Sequence, residues 1–378
     1  MGSDNIIVMD GSEFSFTAGE TILQVAQRNN ISIPTLCHLK RATPTGACKI
    51  CLVEVEGKPN LVQSCLYLTS PNLVIRTDSP RVMDQRRINL ETLMASGKHN
   101  CLFQDLDKDS WADFQIKVMD SDEHYDLCPA YGVCRLQELA IQYKAHIDPS
   151  HLQPAPFPME NVNPFIVRDF SRCILCGRCI KACNEIQVNN VIHFDDDDAP
   201  AKVVTEGDRV LRDSDCVFCG ECVQACPVGA LVPKQDFSGD RLPANVKKVR
   251  STCAYCGVGC QIYLHVKDGK VTRVTGVEDI GPNYESLCVK GRFGFDFIHD
   301  PDRLKTPLIR KNGELQEASW DEALNEVAER LSRIKEESGP DSIGVLSSAR
   351  ITNEENYLVQ KLTRAVIGTN NIDHCARL

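Results

Sequence analysis

Cysteines in groups of three or four are the most chemically informative residues of this chain. The sequence of 378 residues contains twenty cysteines, and nineteen of them fall into five sets. Thiolates that converge on one inorganic core, with short C-x2-C loops and a more distant fourth residue, are typical ligands of iron–sulfur clusters. The sets are Cys37, Cys48, Cys51 and Cys65; Cys101, Cys128 and Cys134; Cys173, Cys176, Cys179 and Cys183; Cys216, Cys219, Cys222 and Cys226; and Cys253, Cys256, Cys260 and Cys288.

Two other uses of cysteine fit this pattern poorly. A disulfide framework is typical of short secreted chains, and Met1 to Asp10 lacks the basic and long apolar segments of a secretory signal. Structural zinc sites usually pair two C-x2-C loops, whereas two of these sets are runs of four. No stretch of about 18 apolar residues predicts a membrane span.

Composition predicts a soluble protein of more than one domain. The chain is 42% hydrophobic and 25% charged, with a net charge of −10. Such length favours two or more domains, and an acidic balance disfavours general nucleic-acid binding. The acidic run Asp195 to Asp198 is interpreted as a solvated turn, because no glycine or following glutamate completes a calcium loop.

Residues 4–78 form the first predicted module. Ile6 to Met9 and Glu13 to Phe16 indicate two strands joined by a tight turn at Asp10-Gly11. A short amphipathic helix follows, with an apolar side of Ile22, Leu23, Val25 and Ala26. The first cysteine set and these elements resemble the [2Fe-2S] ferredoxin-like domain of NADH-linked complexes, which implies a β-grasp fold with the cluster in a loop at its edge.

Residues 79–150 contain the second set, which has only three cysteines. In proteins that the first module resembles, one histidine and three cysteines hold a [4Fe-4S] cluster. His99 precedes Cys101 by two positions and is the first candidate for the fourth ligand, and His124 before Cys128 is the alternative. A long acidic insert separates Cys101 from Cys128 and leaves this assignment open.

Residues 163–236 contain two C-x2-C-x2-C-x3-C runs. In paired runs of this kind the fourth cysteine of each run ligates the other cluster. Cys183 is therefore expected to join Cys216, Cys219 and Cys222, and Cys226 to join Cys173, Cys176 and Cys179. Gly177 and Gly220 follow the second cysteine of each run, where the backbone must bend tightly.

Residues 248–304 carry the motif that identifies a family. Thr252 to Cys260 and Cys288 to Phe293 resemble the N-terminal [4Fe-4S] domain of molybdenum or tungsten bis-pterin oxidoreductases, and formate dehydrogenases in particular. In that family the counterpart of Lys290 lies between the cluster and a pterin and helps electrons to pass. The resemblance continues to the last residue.

Residues 305–378 are expected to begin the α/β domain of such enzymes. Ser319-x-x-Glu322 predicts a capping box, followed by a helix with an apolar face of Trp320, Ala323, Leu324, Val327, Leu331 and Ile334. A short buried strand is predicted at Ile343 to Leu346. Thr352-x-x-Glu355 begins another helix that stops at Gly368, and Ile372 begins the next strand.

These modules together predict a multi-domain α+β iron–sulfur protein. The resemblance implies the electron-transfer N-terminal part of the catalytic subunit of a cytoplasmic formate dehydrogenase, which interconverts formate and CO2. It implies one [2Fe-2S] cluster, four [4Fe-4S] clusters, and molybdenum or tungsten held by two pterin guanine dinucleotides in the full-length enzyme. The partners would be NAD(P)H/flavin-type or ferredoxin-linked subunits. Electrons would pass from the cluster of Cys253 to the paired clusters, then the histidine–cysteine cluster, then the [2Fe-2S] cluster.

The principal alternative is a non-catalytic electron-transfer protein. The large subunit of NADH:quinone oxidoreductase shares the first two cluster types but lacks the paired runs, and a free-standing multi-cluster ferredoxin would not need the motif around Cys253. Iron-only hydrogenases share the first three modules. Their catalytic domain would begin after about Pro233, where this chain instead has the molybdenum-type motif.

The last six residues lead to a prediction about the gene. Asp373 to Leu378 resemble the segment immediately before the metal-binding selenocysteine or cysteine of formate dehydrogenases. Cys375 is four positions too early for that role and is expected to be a small buried side chain. We expect an in-frame UGA after codon 378, followed by codons for the remaining pterin-binding domains. Sequencing the DNA beyond this codon tests the expectation, and a UAA or UAG there would contradict it.

Overall fold

The computed structural model describes residues 5–99, 128–130, 133–147, 149–195, 201–234 and 246–374. The chain divides into two compact units, Met1–Asn245 and Val246–Leu378. Among the helices in these described ranges, none combines the length and the apolar character needed to cross a bilayer. The predicted Asp195 to Asp198 turn lies outside the described residues except for Asp195.

A five-stranded sheet forms the first part of the N-terminal unit. Its order is β2-β1-β5-β3-β4, with β1 and β5 parallel. Asp10 and Gly11 both have positive φ, 50° and 83°, as the predicted tight turn requires. The second strand begins one residue earlier than expected. The strands are β1 (Ile6–Met9), β2 (Ser12–Ser15), β3 (Leu52–Val55), β4 (Val62–Gln63) and β5 (Val74–Arg76).

Helix α1 (Ile22–Arg28) covers this sheet. Thr21 and Gln24 form a capping box, in which each side chain satisfies a backbone amide of the other residue. The predicted apolar side of the helix is fully buried against Ile7, Val53 and Ile75. This packing fixes the edge from which the cysteine loop emerges.

Two helices form most of the described second module. Helix α2 (Pro80–Ala95) begins after the N-cap Ser79, with proline at the first helical position, where no amide is needed. Helix α3 (Arg135–Gln142) begins directly after Cys134. A single apolar core joins these helices to the cysteine loops on either side, and its largest members include Leu36, Leu90, Met94, Leu136, Leu139 and Ile174.

The paired cysteine runs lie on short helices. Helix α4 (Arg178–Lys181) continues as a π-helical turn over Ala182–Ile186, and helix α5 is Glu221–Ala225. Gly177 and Gly220 precede these helices with φ of 73° and 72°, a conformation that glycine adopts without strain. Two antiparallel pairs support them: β6 (Ile166–Arg168) with β9 (Leu231–Pro233), and β7 (Ile192–Asp195) with β8 (Lys202–Thr205).

The second unit begins with an antiparallel three-stranded sheet. Its strands are β10 (Lys247–Thr252), β11 (Gln261–Lys267) and β12 (Lys270–Gly276). Helix α6 (Val289–Phe293) starts immediately after Cys288. A hairpin of β13 (Leu308–Lys311) and β14 (Glu314–Glu317) follows. Single turns of 3-10 helix occur at Pro149–His151, Phe170–Arg172, Glu206–Asp208, Leu211–Asp213, Asp296–Ile298 and Pro340–Ser342.

The last described elements are helix α7 (Trp320–Ser338), helix α8 (Asn353–Lys361) with a π-helical turn over Leu362–Ile367, and the parallel strands β15 (Val345–Ser347) and β16 (Ile372–His374). Gly368 ends the second helix in a left-handed conformation, as expected. The helices and strands of this region, and the predicted fold class as a whole, are confirmed.

Three details of this region differ from the sequence expectation. Only half of the first capping box forms, because Ser319 accepts from the Glu322 amide while the Glu322 carboxylate pairs with Lys311. Strand β15 begins at Val345, two residues later than the predicted start at Ile343. Leu346 is 88% exposed because, among the described residues, only β16 pairs with β15. No residue of the α7 apolar face is buried within the described residues.

Gly276 offers a test of how the second unit holds Cys288. A Cβ at this position would overlap the backbone oxygen of Glu285, in the segment that leads to that cysteine. We expect Gly276→Ala to lower the free energy of unfolding by about 1–3 kcal/mol, since backbone atoms must move. Chemical unfolding of the anaerobically purified protein measures this change. Gly344→Ala is the matched control, because nothing lies within 4 Å of its added carbon; equal stability of the two variants would contradict the close approach.

Candidate metal centres

The four thiols of the first set lie together in the N-terminal unit. Each is at most 5% exposed, and the Sγ atoms of Cys51 and Cys65 are 3.3 Å apart. Cys37 and Cys48 hydrogen-bond to each other, and the charge of Cys37 acts to raise the pKa of both Cys51 and Cys65. The loop therefore brings four sulfur ligands to one buried point beside the sheet, as a [2Fe-2S] cluster requires.

The protonation of these thiols follows their pairing. The hydrogen bond with Cys48 lowers the pKa of Cys37 to about 5, and the hydrogen bond with Cys65 lowers the pKa of Cys51 to about 7. The partner thiol in each pair has its own pKa raised. Two of the four groups are thus poised as thiolates, the form that binds metal.

His99 has the surroundings of a metal ligand without a protein partner. The ring is 6% exposed, and within the described residues its Nε2 atom has no hydrogen-bond partner. Burial, and next the charge of Arg172, lower the pKa of His99 to about 4. The imidazole is therefore neutral near pH 7, with a lone pair available to a metal.

Cys128 lies beside the same guanidinium. Burial raises the pKa of Cys128, whereas Arg172 hydrogen-bonds to the Cys128 thiol and its charge acts to lower the pKa of both Cys128 and His99. The charge of Asp169 acts to raise both pKa values. Burial raises the pKa of Cys134 to about 12, and Cys128 raises it further. The structure thus brings His99, Cys128 and Cys134 into one neighbourhood. Cys101 and the alternative His124 lie outside the described residues.

The paired runs exchange their fourth cysteines in space. Burial is the main cause that raises the pKa of Cys179, and the charges of three nearby cysteines of one predicted set, Cys176, Cys173 and Cys226, also raise it. The pKa of Cys222 is raised in the same way by burial and by the charges of Cys219, Cys216 and Cys183. Each run is therefore completed by the last cysteine of the other, which is the arrangement predicted from the spacing.

A cavity adjoins the first of these sets. The space has a volume of about 40 Å³, and its lining includes Cys173, Cys176, Cys179 and Cys226, together with Cys222 of the other set and the charged residues Arg168 and Asp169. The rest of its wall is largely apolar, with Ile174, Val203, Leu211, Val228 and Leu231. A largely apolar cavity lined by several cysteines suits a thiolate-bound cluster.

The loop of the first set packs directly on the first run. Thr45 donates from Oγ1 to the carbonyl oxygen of Cys176 at 3.2 Å. Thr43 donates from its amide and its hydroxyl to Glu185, both at 2.7 Å, and Lys181 donates to the Thr43 hydroxyl. The [2Fe-2S] loop and the first run are thus joined by several polar contacts.

The histidine–cysteine set packs on the other end of the same cluster site. Arg135 donates from its amide to the carbonyl oxygen of Pro227 at 2.9 Å, and Cys134 Sγ is 3.6 Å from that oxygen. Pro227 follows Cys226 directly. A Cβ on Gly229 would lie 2.7 Å from the Cys128 sulfur, so only glycine permits this approach.

The fifth set, Cys253, Cys256, Cys260 and Cys288, assembles in the second unit. Burial and the charges of Cys256 and Cys288 raise the pKa of both Cys253 and Cys260, so the four thiols lie near one another. The Cys253 amide donates to the Cys260 carbonyl oxygen at 2.8 Å. Lys290 lies on α6, two residues after Cys288, with its side chain exposed.

A large polar cavity adjoins this cluster loop. It has a volume of about 600 Å³ and lies where β15 and β16 end and α8 begins, a position where α/β folds commonly bind ligands. Gly257 of the cluster loop lines it and donates to the Ala349 carbonyl at 3.1 Å. Lys290 does not line it. The polar lining residues are Ser347, Ser348, Asn353, Asn356, Gln360, Arg364, Asp373 and His374.

These lining residues were not predicted from the sequence. Ser347 and Ser348 directly follow a strand, and Asn353 begins a helix, which are signals of a binding edge. The contribution of the cluster loop depends on a contact between residues nearly a hundred positions apart. Such a contact carries no local sequence signal.

Four family models match consecutive parts of the chain. A 2Fe-2S iron-sulfur cluster binding domain matches residues 6–80, and a 4Fe-4S dicluster domain matches residues 172–230. The molybdopterin oxidoreductase Fe4S4 domain matches residues 246–300, and the molybdopterin oxidoreductase model matches residues 303–378. None of these four matches covers residues 81–171, which contain most of the second predicted module.

Curated relatives extend this similarity over nearly the whole chain. A protein of Staphylococcus aureus strain USA300 named "Putative formate dehydrogenase" is 30% identical over 98% of this chain. Its counterpart in the bovine strain RF122 is equally similar. The chain spans 39% of the length of these relatives.

A solved structure is also similar to part of the chain. It is a chain of an NAD+-reducing [NiFe]-hydrogenase, crystallised in the H2-reduced state. The match has a TM-score of 0.50 and 25% sequence identity, and it covers 64% of this chain and 91% of the hydrogenase chain.

His99 provides a test of the mixed ligand set. We expect His99→Ala to remove or shift one [4Fe-4S] signal in electron paramagnetic resonance (EPR), because the buried imidazole has no other partner within the described residues. Iron analysis of the anaerobically purified chain should fall from about 18 atoms to about 14 if that cluster is lost. His124→Ala is the matched control and should leave every signal unchanged. The reverse result would assign the ligand to His124.

Proposed function

We propose that this chain, which has the iron–sulfur electron-transfer region of a formate dehydrogenase-like molybdopterin oxidoreductase, relays electrons released from formate. The complete enzyme would oxidise formate to CO2, or catalyse the reverse reaction. The chain spans about two fifths of the curated relatives, so the formate reaction is assigned to the complete protein and the relay to these residues.

The convergence of buried thiols carries this proposal. Cys226 lies with the first run and Cys183 with the second, so the pairing demanded by two adjacent clusters is built into the fold. We assign one [2Fe-2S] cluster to the first set and four [4Fe-4S] clusters to the others, with His99 and Cys101 completing the mixed site.

The large polar cavity supports a second cofactor in the second unit. A bis-pterin metal centre would supply two-electron chemistry at formate when bound. Arg364 and the polar side chains of Ser347, Asn353 and Asn356 suit the phosphates and ring edges of a pterin dinucleotide. Gly257 connects that cavity to the loop of the fifth cysteine set, so a cofactor bound there would lie close to the proposed cluster.

Contacts within the N-terminal unit favour a different order of clusters from the linear one expected from sequence. The site of Cys173, Cys176, Cys179 and Cys226 touches the [2Fe-2S] loop through Thr45 and the mixed site through Pro227. This site is therefore assigned as a branch point, with the [2Fe-2S] and mixed clusters as separate neighbours.

The solved relative supports a proposal for the electron acceptor. That protein is an NAD+-reducing hydrogenase, which suits partner subunits that pass electrons to a nicotinamide. NAD(P)-linked or ferredoxin-linked subunits are the proposed partners. The cytoplasmic location stays a prediction.

The division between relay and formate chemistry can be tested directly. Dithionite should bleach the clusters of the 378-residue chain, which should then reduce a viologen, whereas formate should reduce neither. In the complete protein, formate should bleach the same clusters. Formate-dependent bleaching by the short chain, or none by the complete protein, would overturn the proposal.

Substitution of Lys290 tests its proposed role in electron transfer from the metal centre to the clusters. In the complete protein, Lys290→Ala should slow formate-dependent cluster reduction about tenfold or more while iron content stays unchanged. Lys270→Ala removes another exposed lysine of the same unit and serves as the control. Stopped-flow absorbance measures both rates, and equal rates would exclude Lys290 from the relay.

Substitution of Thr45 tests whether the site of Cys173, Cys176, Cys179 and Cys226 is a branch point. Thr45→Val removes the hydrogen bonds of this hydroxyl to the Cys176 carbonyl and to the Cys37 thiol at nearly constant volume, so reduction of the [2Fe-2S] cluster should become slower relative to the mixed cluster. Rapid-freeze EPR after mixing the complete protein with formate separates the two signals. Thr17→Val, at an exposed position of the same domain, is the control. Parallel slowing of both signals would favour the linear order.

A further inference from the structure

Arg86 is a buried cation next to the first thiol set. Its side chain extends from α2 and is 2% exposed. Its Nε atom donates to the carbonyl oxygen of Ile50 at 3.0 Å, and one terminal nitrogen donates to that of Leu52 at 2.7 Å. These two residues flank Cys51, so the guanidinium holds the backbone on both sides of a proposed ligand.

The third contact of Arg86 is also with a neutral group. Its other terminal nitrogen donates to the Tyr143 hydroxyl at 3.1 Å, and the guanidinium carbon lies 5.9 Å from the centre of that ring. In the described part of the chain, no carboxylate pairs with Arg86. A buried guanidinium that meets only neutral acceptors is energetically costly unless an anion lies nearby.

The proposed cluster supplies the missing anion. Four thiolates around two irons and two sulfides give a cluster that is net negative when oxidised and more negative when reduced. A fixed positive charge in a buried setting stabilises the reduced form more than the oxidised form, because water screens it little. Net charge and hydrogen bonding near a cluster are known determinants of its reduction potential.

The same helix also fixes the loop mechanically. Asn89 donates to the carbonyl oxygen of Lys49 at 2.8 Å, and Lys49 has a positive φ of 53°. That conformation is unfavourable for a residue with a side chain. Arg86 and Asn89, one turn apart on α2, thus hold the segment from Cys48 to Leu52 in the form that the thiols need.

We propose that Arg86 is a positioning residue and the internal counter-charge of the [2Fe-2S] site, which keeps that cluster reducible within the relay. The inference rests on the proposed [2Fe-2S] assignment. Because the cation comes from the second module, the potential of the cluster depends on a helix outside the ferredoxin-like domain.

The test is an EPR-monitored redox titration of the anaerobically purified chain. Arg86→Met should lower the ratio of reduced to oxidised [2Fe-2S] cluster at a fixed potential by about tenfold or more, equivalent to about 59 mV for one electron. Arg86→Lys keeps the charge and should stay within about threefold of the wild type. The [4Fe-4S] signals of the same sample are internal references.

Arg87→Met is the matched control. It removes the same charge from the next residue of the helix, but the Arg87 side chain is 41% exposed and pairs with Asp84 and Glu91. Solvent screens such a charge, so the ratio should change by less than about threefold. An equal change in the Arg86 and Arg87 variants would overturn the inference.

The remaining outcomes are also decisive. An unchanged ratio in Arg86→Met overturns the counter-charge. Loss of the [2Fe-2S] signal in Arg86→Met with retention in Arg86→Lys supports it, because the charge is then required for assembly. Loss in both variants overturns it in favour of packing alone. Absence of a [2Fe-2S] signal from the wild-type chain would instead reject the proposed cluster assignment.

Discussion

Burial of thiols away from water is the constraint on which the N-terminal unit depends. A thiol in an apolar interior resists ionisation, and burial is the principal reason that the pKa values of Cys173, Cys179 and Cys222 are raised. Only a strongly attractive centre such as iron compensates for so many buried thiolates. The apolar core that excludes water from the clusters is the same core that joins the helices to the cysteine loops.

Arginine side chains lie beside several of the cysteine sets in this interior. Arg86 lies beside the first thiol set, and Arg172 lies between His99 and Cys128. Arg172 is paired with Asp169, and Arg168 is paired with buried Glu160 and lines the cavity of the first run. A relay needs neighbouring centres whose potentials differ, and fixed cations with and without acidic partners give each site a different electrostatic setting.

How much could be predicted from the sequence depended on the range of each interaction. The tight turn at Asp10-Gly11 and the cap at Thr352 depend on adjacent residues and were predicted correctly. The cap at Ser319 was half wrong because Lys311, distant from the helix start, competes for Glu322. The exchange of Cys183 and Cys226 was predictable because the spacing itself requires it. The cavity near Gly257 was not, because tertiary contacts alone create it.

The exchanged cysteines make the maturation of the two central clusters interdependent. On the proposed assignment, neither run can complete a cluster until the other run has folded against it, since each contributes one sulfur to its neighbour. Iron loading is therefore cooperative between the two sites, and a half-loaded form leaves an open coordination position. The same connection makes oxidative damage spread, because a cysteine lost from one run deprives the cluster of the other.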